Sequence, residues 1–491
     1  MPKLVSILYI TSELYPFAKV GGLADVAYSL SLALREKKND MRVMIPKYGC
    51  VSERKNRIHE INRLKDLPIK IGDNTELVTV KSSAISNPRS KVQAYITTNA
   101  NYFDSKKGIY SDPKTGIDYP DNDERFILFA RSVIDTCIVL NWFPDIIHCN
   151  DWQTALVPGY ARTLFPNKFR KTKIVLTIHN FSQQGIFPLK TFDKTGLPPE
   201  AQIHYKEKNN INFLKGAIYY SDAITTVSKS YALEILNEKK KRTELNDLLL
   251  DRKSRFTGIL NGIDIWSWNP KRDIKIKKQF SNNFYDYKNT NKAHVLQKFG
   301  LQYNENIPLI AIVTRLDSQK GLSLLVEAAE KLFALDIQLI LLGEGNPELR
   351  KEIGLLAKKY FNKFKVKFAF DEQLAHQIEA GSDMFLMPSL IEPCGLNAMY
   401  SLAYGSIPIV RATGGLKDIV NDYDFKTKTG NGFVFNEYKP ESMIDAIKKA
   451  ISIYKNKEEW EILALKGMNE DYSWAKSIEE YQNIYSSLFK D

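Results

Sequence analysis

Residues 388–410, PSLIEPCGLNAMYSLAYGSIPIV, follow the apolar run Met384–Met387, which has the composition of a buried strand. The segment turns at EPCG (392–395), and apolar residues then recur at helical spacing from Leu396 until Gly405. Free backbone N–H groups at a helix start carry a partial positive charge, which suits a phosphate. Glu392 would repel a phosphate but can accept hydrogen bonds from sugar hydroxyls. The pattern fits a sugar-nucleotide site, although the turn taken alone is more typical of a plain strand-to-helix connection.

The length and composition indicate a globular protein with two or more domains. The chain has 491 residues, of which 44% are hydrophobic and 26% are charged. Its four cysteines form no CxxC pair and no zinc-like spacing with the six histidines. The cysteine pattern therefore argues against a disulfide framework and favours a reducing compartment.

The formal net charge is +12, which by itself would suggest a nucleic acid or an anionic membrane as partner. The basic residues are nevertheless spread along the chain. The densest run, EKKKR at residues 238–242, is interpreted as the solvated face of a helix. We therefore expect no nucleic-acid partner, and nucleic-acid binding stays a minor alternative.

No apolar run approaches the roughly 18–20 residues that a membrane span needs. The first apolar run covers only residues 4–10, and the polar residues Thr11, Ser12 and Glu13 follow it. This pattern is typical of a first strand and not of a signal peptide. The sequence predicts a cytoplasmic protein with no membrane partner.

Strand-like runs alternate with helix-like segments in both halves of the chain. Residues 258–270 (GILNGIDIWSWNP) interrupt this alternation and predict a domain boundary. We expect each half to be a doubly wound parallel α/β sheet. Residues 51–90 are interpreted as a hairpin or insertion, and the polar residues 282–291 as a loop.

Three strand ends in the first half carry candidate ligand-binding residues. After the first strand, Lys19 adds a mobile positive charge, and the paired Gly21 and Gly22 allow a ligand to approach the backbone closely. Later strand-like runs end at Asp151 and at His179. Because ligands bind at the carboxyl ends of strands in open α/β sheets, these residues are candidates for one site.

In the second half, Arg315 and Lys320 follow a strand-like run and flank a turn. Arginine offers a bidentate fork and lysine a point charge, so both can reach one anion. Such a pair can stabilise the charge that grows on a departing diphosphate without a metal. The glycine turn at Gly414 and Gly415 is expected at the same edge of the sheet.

Two DxD pairs, Asp121 with Asp123 and Asp422 with Asp424, are the possible metal ligands. Both pairs lie in polar segments with turn residues and not at a clear strand end. We interpret them as solvated turns and expect neither a metal nor another cofactor.

Taken together, the motifs resemble those of the bacterial glycogen synthase and plant starch synthase family. The residues that carry the resemblance run in family order along the chain: KVGGLADV (19–26), YPDNDERF (119–126), NDWQ (150–153), TIHN (177–180), GILNGID (258–264), TRL (314–316), QKG (319–321), EPCGL (392–396) and RATGGL (411–416).

This resemblance implies a retaining glycosyltransferase of the GT-B fold, with two Rossmann-like domains facing across a cleft. The implied domains are residues 1–262, residues 263–471, and a C-terminal helix in 472–491 that crosses back to the first domain. The implied reaction transfers glucose from ADP-glucose to the non-reducing end of an α-1,4-glucan such as glycogen, with retention and without a metal.

The resemblance also implies roles for individual residues. Lys19 contacts the donor phosphates, and Arg315 with Lys320 stabilises the leaving diphosphate. Glucose hydroxyls are held by Glu392 and His179. The remaining implied contacts are Asp151 and Asn261 near the sugar, the backbone after Cys394 (Gly395 and Leu396) at the distal phosphate, and Phe370 near adenine, where many members have tyrosine.

Alternatives remain open at this point. The residues do not choose between ADP-glucose and UDP-glucose as donor, and a non-enzymatic glucan-binding protein would share the fold. Such a protein should have lost the phosphate-binding cations or Glu392, and all of them are present. A nicotinamide-dependent dehydrogenase should show GxGxxG after the first strand, where this chain has KVGG.

Overall fold

Two main sheets form from the apolar runs of the chain, within the residues 4–490 that the computed structural model describes. The chain divides into a first unit, Met1–Gly262 with Trp474–Asp491, and a second unit, Ile263–Ser473.

The strands of the first unit are β1 (Ser6–Ile10), β2 (Asp40–Pro46), β3 (His59–Glu60), β4 (Leu67–Ile71), β5 (Asn74–Ser86), β6 (Lys91–Thr98), β7 (Ile146–Asn150), β8 (Lys173–Ile178), β9 (Ile186–Pro188), β10 (Lys206–Glu207), β11 (Asn210–Asn212), β12 (Ala223–Thr226) and β13 (Phe256–Gly258). The helices before the boundary are α1 (Gly22–Glu36), α2 (Asn122–Leu140), α3 (Leu156–Thr163), α4 (Thr191–Thr195), α5 (Gln202–Tyr205), α6 (Phe213–Tyr220), α7 (Lys229–Asn237) and α8 (Glu244–Asp251).

The main sheet of the first unit has the order β13-β12-β8-β7-β1-β2-β6-β5-β3, with β4 paired to β5. The strands from β13 to β6 are parallel, and β7 and β1 are fully or almost fully buried, as strands covered on both faces should be. The order reverses between β1 and β7, which is the point where open α/β sheets bind ligands.

The second unit contains the strands β14 (Leu309–Val313), β15 (Gln338–Leu342), β16 (Phe364–Lys367), β17 (Met384–Met387), β18 (Ile407–Arg411) and β19 (Phe433–Phe435). Its helices are α9 (Phe284–Phe299), α10 (Leu322–Phe333), α11 (Pro347–Lys359), α12 (Glu372–Gly381), α13 (Leu396–Ala403), α14 (Leu416–Ile419), α15 (Pro440–Tyr454) and α16 (Lys457–Met468). All strand pairs are parallel, in the order β16-β15-β14-β17-β18-β19, which reverses between β14 and β17.

The last described helix, α17 (Ala475–Ser487), belongs to the first unit although it follows the second in the chain. The hydroxyl of Tyr485 lies 2.7 Å from Nδ1 of the fully buried His148 in β7. Ser477 donates a hydrogen bond to the carbonyl of Leu260. The helix is therefore part of the first unit's core.

The prediction of two doubly wound α/β domains is confirmed, with one correction to the first sheet. Residues 51–90 contain a hairpin of β4 and β5, as predicted, and β5 also pairs antiparallel with β3 and β6 at one edge. The first sheet is therefore mixed and not entirely parallel.

Three local predictions were wrong. Residues 282–291 are not a loop, because α9 begins at Phe284 with Asn283 as its N-cap. The basic run at 238–242 is not helical, because it connects α7 to α8, although its lysines are exposed as expected. Asp123 is not solvated: it is buried and accepts hydrogen bonds from the Thr191 hydroxyl at 3.0 Å and Lys194 Nζ at 3.2 Å.

Candidate functional site

In the first unit, the loop between β1 and α1 is organised by a carboxylate. Oε2 of the buried Glu13 accepts hydrogen bonds from the N–H groups of Val20 and Gly21, at 2.7 and 2.8 Å. Its other oxygen, Oε1, accepts from the Tyr110 hydroxyl at 2.8 Å. The backbone of the KVGG segment is thereby fixed against the end of β1.

The three candidate residues of this loop have different surroundings. Lys19 Nζ lies 2.7 Å from Asp25 Oδ1 in α1, so an anion would have to compete with that carboxylate. Gly22 begins α1 and Gly21 caps it. A Cβ atom on Gly21 would meet no protein atom within 4 Å, so the protein's own packing does not require glycine there. The open space supports close approach of a ligand to this backbone.

Asp151 and His179 are joined across the ends of β7 and β8. Oδ1 of Asp151 accepts a hydrogen bond from the backbone N–H of His179 at 2.7 Å. Asp151 has a positive φ of 55°, a conformation uncommon outside glycine that often marks a functional residue. Burial raises the pKa of the Asp151 carboxyl to about 7, although hydrogen bonds from His179 and Asn180 partly oppose the shift.

The imidazole of His179 is held by β7 on its other side. Nε2 of His179 lies 2.8 Å from Oδ1 of Asn150. Burial lowers the pKa of His179 to about 3, so the ring is neutral at physiological pH. A neutral ring suits hydrogen bonding to a sugar hydroxyl better than binding to a phosphate.

Asn261 follows β13 and is 3% exposed, and its Oδ1 is a buried acceptor with no partner among the described residues. An unsatisfied buried carbonyl is costly, and a ligand hydroxyl would satisfy it. The candidate residues of the first unit therefore follow β1, β7, β8 and β13, all at the carboxyl edge of one sheet.

In the second unit, Lys320 and Glu392 form a close ion pair. Lys320 Nζ is 2.9 Å from each carboxylate oxygen of Glu392, and the side chains are 17% and 9% exposed. The hydroxyl of Ser389 donates to Glu392 Oε2 at 3.0 Å. The pair joins the loop after β14 to the loop after β17, across the point where the strand order reverses.

Backbone contacts hold these two loops together. The N–H of Leu390 donates to the Gln319 carbonyl at 2.7 Å. Gly321 has φ +69°, and a Cβ there would lie 1.9 Å from the Pro388 carbonyl oxygen. Only glycine permits this approach, so Gly321 fixes the position of Lys320.

The loop that carries Glu392 is also supported by the neighbouring strand β18. Arg411 donates from Nε to the Ser389 carbonyl at 2.7 Å and from a terminal nitrogen to the Leu390 carbonyl at 2.6 Å. Beyond β18, a Cβ on Gly414 would lie 2.1 Å from the Glu392 carbonyl oxygen. The Gly415 N–H donates to that carbonyl at 3.0 Å.

The turn of Cys394, Gly395 and Leu396 leads directly into α13. Gly395 caps the helix with φ +97°, and no side chain caps the free N–H groups of the first turn. Helix N–H groups left open in this way suit a phosphate. The predicted phosphate contact of this backbone stays a prediction that its geometry permits.

Arg315 and Phe370 are the most exposed candidates of the second unit. The Arg315 side chain is 51% exposed and lies 3.3 Å from Asp317. Phe370 is 61% exposed and follows β16. Both are more exposed than Lys320, whose side chain is 17% exposed.

Sequence reasoning missed the supporting residues Glu13, Asn150, Ser389 and Arg411. Asn150 and Arg411 stand inside the quoted motifs. Asn150 directly precedes Asp151, and Arg411 shortly precedes the glycine turn, so their positions in the sequence could have indicated a supporting role. Glu13 gave no signal, because its partners Val20 and Gly21 are bound through backbone N–H groups, which no side-chain pattern reveals.

Among residues 4–490, no three His, Cys, Asp or Glu side chains are grouped to hold a metal ion. In the same range no helix is long and apolar enough to cross a membrane.

Comparisons with known proteins identify the family of the chain. The model of the starch synthase catalytic domain matches residues 6–251, and that of the glycosyl transferases group 1 matches residues 296–465. The chain is 42% identical to a glycogen synthase of Clostridium botulinum (strain Alaska E43 / Type E3), covering 98% of this chain and 99% of that one. It is 38% identical to a glycogen synthase of Chlorobaculum parvum, covering 98% of both.

Two solved structures are also similar. The catalytic domain of starch synthase IV from Arabidopsis thaliana, bound to ADP and acarbose, has a TM-score of 0.90 and 31% identity over 99% of both chains. Sucrose-phosphate synthase from Thermosynechococcus elongatus, at 16% identity and a TM-score of 0.61, shares the fold. The motifs, the two Rossmann-like sheets and the full-length matches together show that the chain belongs to the glycogen and starch synthase family of hexosyltransferases.

Proposed function

We propose that the protein transfers glucose from ADP-glucose to the non-reducing end of an α-1,4-glucan and retains the anomeric configuration. The observation that carries this proposal is the Lys320–Glu392 pair beside the open N-terminus of α13. A cation, a carboxylate and a helix start without a side-chain cap lie within one loop cluster, which supports a site for a sugar diphosphate. The starch synthase IV structure was solved with ADP and acarbose, which supports an adenine nucleotide donor and a glucan acceptor.

In the proposed reaction, the bond between C1 of glucose and the β-phosphate oxygen breaks, and a bond forms from C1 to the terminal 4-hydroxyl of the glucan. The acceptor proton passes to the leaving phosphate. The products are ADP and a glucan longer by one residue. Positive charge grows at C1 and negative charge on the diphosphate, so electrostatic stabilisation is the main task of the protein.

The residues of the second unit suit the diphosphate. Lys320 and Arg315 would take up the charge that develops on the leaving oxygen, and Phe370 would pack on the adenine. Because Lys320 is paired with Glu392, a bound diphosphate would share that lysine. Glu392 would then hold glucose hydroxyls and face the positive charge at C1.

The residues of the first unit suit the sugar. The neutral His179 and the buried Asn261 carbonyl would bind hydroxyls, with Asp151 orienting His179 through its backbone N–H. Lys19 would leave its ion pair with Asp25 and bind the donor phosphates instead. We propose that no metal takes part, since the two cations of the second unit can carry the diphosphate charge.

We also propose a cytoplasmic location. The four cysteines are all unbridged, which supports a reducing compartment.

The test is a transfer assay with glycogen and radiolabelled ADP-glucose or UDP-glucose, each with and without EDTA. We expect incorporation from ADP-glucose, at least about tenfold less from UDP-glucose, and no effect of EDTA. Equal or better use of UDP-glucose would refute the donor assignment. Loss of activity with EDTA and its recovery with Mg²⁺ or Mn²⁺ would refute the metal-free proposal. Binding of glycogen without transfer from either donor would favour the non-enzymatic alternative.

A further inference from the structure

A row of buried polar groups lies behind His179, at the ends of β1, β7 and β8. Asn150 is the last residue of β7 and is fully buried. Its Oδ1 accepts a hydrogen bond from the Tyr9 hydroxyl at 2.8 Å and lies 2.8 Å from His179 Nε2. Its Nδ2 donates to the Ile10 carbonyl, also at 2.8 Å.

These contacts determine which way the Asn150 amide is turned. Nδ2 faces two carbonyl oxygens, of Ile10 at 2.8 Å and of His148 at 3.4 Å. Turning the amide over would place Oδ1 against both carbonyls, where no hydrogen bond can form. Burial raises the pKa of Tyr9 well above its usual range, so its hydroxyl is a donor. Oδ1 is therefore the acceptor for both Tyr9 and His179.

The proton of the neutral His179 ring must then be on Nε2, because Oδ1 can only accept. Nδ1 is left with its lone pair. No residue of the described chain hydrogen-bonds to Nδ1, whereas both ring nitrogens of the neighbouring His148 are engaged, by Tyr485 and Thr177. Among these two histidines, His179 alone keeps a ring nitrogen for a ligand.

We propose that Asn150 is a positioning residue that holds His179 in the Nε2-protonated tautomer, so that Nδ1 accepts a hydrogen bond from a hydroxyl of the bound sugar. The identity of that sugar rests on the proposed function. The tautomer itself does not depend on it.

This arrangement has a chemical consequence for transfer. A ring that only accepts at Nδ1 adds no positive charge near the sugar carbon, where positive charge develops during the reaction. An imidazolium at the same place would lose the acceptor and repel that charge. Asn150 therefore selects both the hydrogen-bonding role and the neutrality of His179.

The first measurement is the long-range ¹H–¹⁵N spectrum of protein labelled with ¹⁵N-histidine, which distinguishes the two tautomers and the imidazolium. The chain has six histidines, and His179→Gln identifies the signal by its loss. We expect the neutral Nε2–H tautomer of His179 at every pH from 5 to 8. An Nδ1–H tautomer or an imidazolium at pH 7 would overturn the proposal.

The second measurement uses Asn150→Asp, which keeps an acceptor but adds a negative charge beside Nε2. We expect His179 to titrate at least one pH unit higher than in the parent protein. The acid limb of the turnover–pH profile should then move toward neutral pH, because the imidazolium has no lone pair at Nδ1. The other titratable groups around His179 are Asp151, His148 and Tyr9, with Glu13 beyond Asp151, and the variant leaves all of them in place.

Asn246→Asp is the matched control, since Asn246 is also buried but lies in the N-terminal capping box of α8. It should change neither the His179 spectrum nor the pH profile. Tyr9→Phe is a second test that adds no charge. It should leave the tautomer unchanged and turnover within about threefold, because the Nδ2 bonds still orient Asn150. An unchanged His179 titration in Asn150→Asp, or an altered tautomer in Tyr9→Phe, would refute the role of Asn150.

Discussion

The candidate residues of the two units handle charge in opposite ways. In the first unit burial suppresses charge: it lowers the pKa of His179 to about 3 and raises that of Asp151 to about 7. In the second unit, by contrast, Lys320 and Glu392 form an ion pair at 2.9 Å. Under the proposed function, His179 would face neutral hydroxyls and Lys320 would face an anion. Lys19, which pairs with Asp25, is the charged exception among the candidates of the first unit.

The largest expected effect on activity comes from removing the cation of the second unit, and it tests this contrast directly. Lys320→Ala should lower turnover by ~10²-fold or more, as loss of an oxyanion-stabilising donor does, and should weaken ADP binding. Lys320→Arg should recover only part of the activity, because the guanidinium is larger and its geometry differs. Transfer kinetics and calorimetric ADP titration measure both effects.

Lys331→Ala is the control, since Lys331 also pairs with a glutamate but both side chains are 61% exposed. It should change neither quantity. Full activity of Lys320→Ala would show that the second unit does not stabilise the leaving group through this lysine.

The next test removes the opposite charge. Glu392→Gln should lower turnover by about tenfold or more, since under the proposed function the carboxylate would face the positive charge that develops at the sugar carbon. ADP affinity should stay the same or rise, because ADP carries no glucose and the variant releases Lys320 from its partner. ADP titration into both variants makes the comparison. If Glu392→Gln abolished ADP binding while Lys320→Ala did not, the sugar and phosphate subsites would be reversed.

A stability measurement tests the suppressed charge of the first unit. The Asp151 pKa is raised from 3.8 to about 7, so its proton stabilises the folded state fully below pH 3.8 and ceases to do so as the pH rises through about 7. Asp151→Asn cannot ionise and should therefore become more stable relative to the parent protein between pH 5 and pH 8. In thermal melts, each kcal/mol by which the variant gains stability over the parent should raise its relative Tm by about 2–4 °C. A constant difference in Tm across that range would mean that the carboxyl ionises normally.

The smallest expected effect concerns charge outside both sites. Lys239, Lys240 and Lys241 lie exposed between α7 and α8. Replacing all three with glutamine should change stability by no more than about 0.5 kcal/mol and leave transfer to glycogen unchanged. Denaturant unfolding and the transfer assay check this. A loss of activity above threefold would give this basic segment a role in glucan binding.

The residues that sequence analysis could predict are those that follow strands. The motifs around Asp151, His179, Lys320 and Glu392 stand directly after apolar runs, and parallel strands bring their carboxyl ends to one edge. The pairing of Lys320 with Glu392 could not be predicted, because it depends on which loops lie side by side at the reversal of strand order.

Helix α9 shows why a polar pattern can mislead. Its buried face includes Lys288 and Lys292, and Lys292 Nζ lies 2.7 Å from Oδ2 of Asp383, which directly precedes β17. Buried lysines that pair with a distant carboxylate interrupt the apolar stripe by which an amphipathic helix is recognised. The information that residues 284–299 form a helix therefore lies partly in Asp383, 91 positions after Lys292, which is too remote for periodicity to detect.

The packing of α17 against His148 has a consequence for biosynthesis. A ribosome completes residues 263–473 before it makes the helix that covers β7 with Tyr485. Until then, the imidazole of His148 lacks one of its two hydrogen-bond partners, and the adjoining apolar surface stays uncovered. The first unit to emerge is thus the last to be finished, so the nascent chain must keep an incomplete sheet from aggregating while a whole second domain is translated.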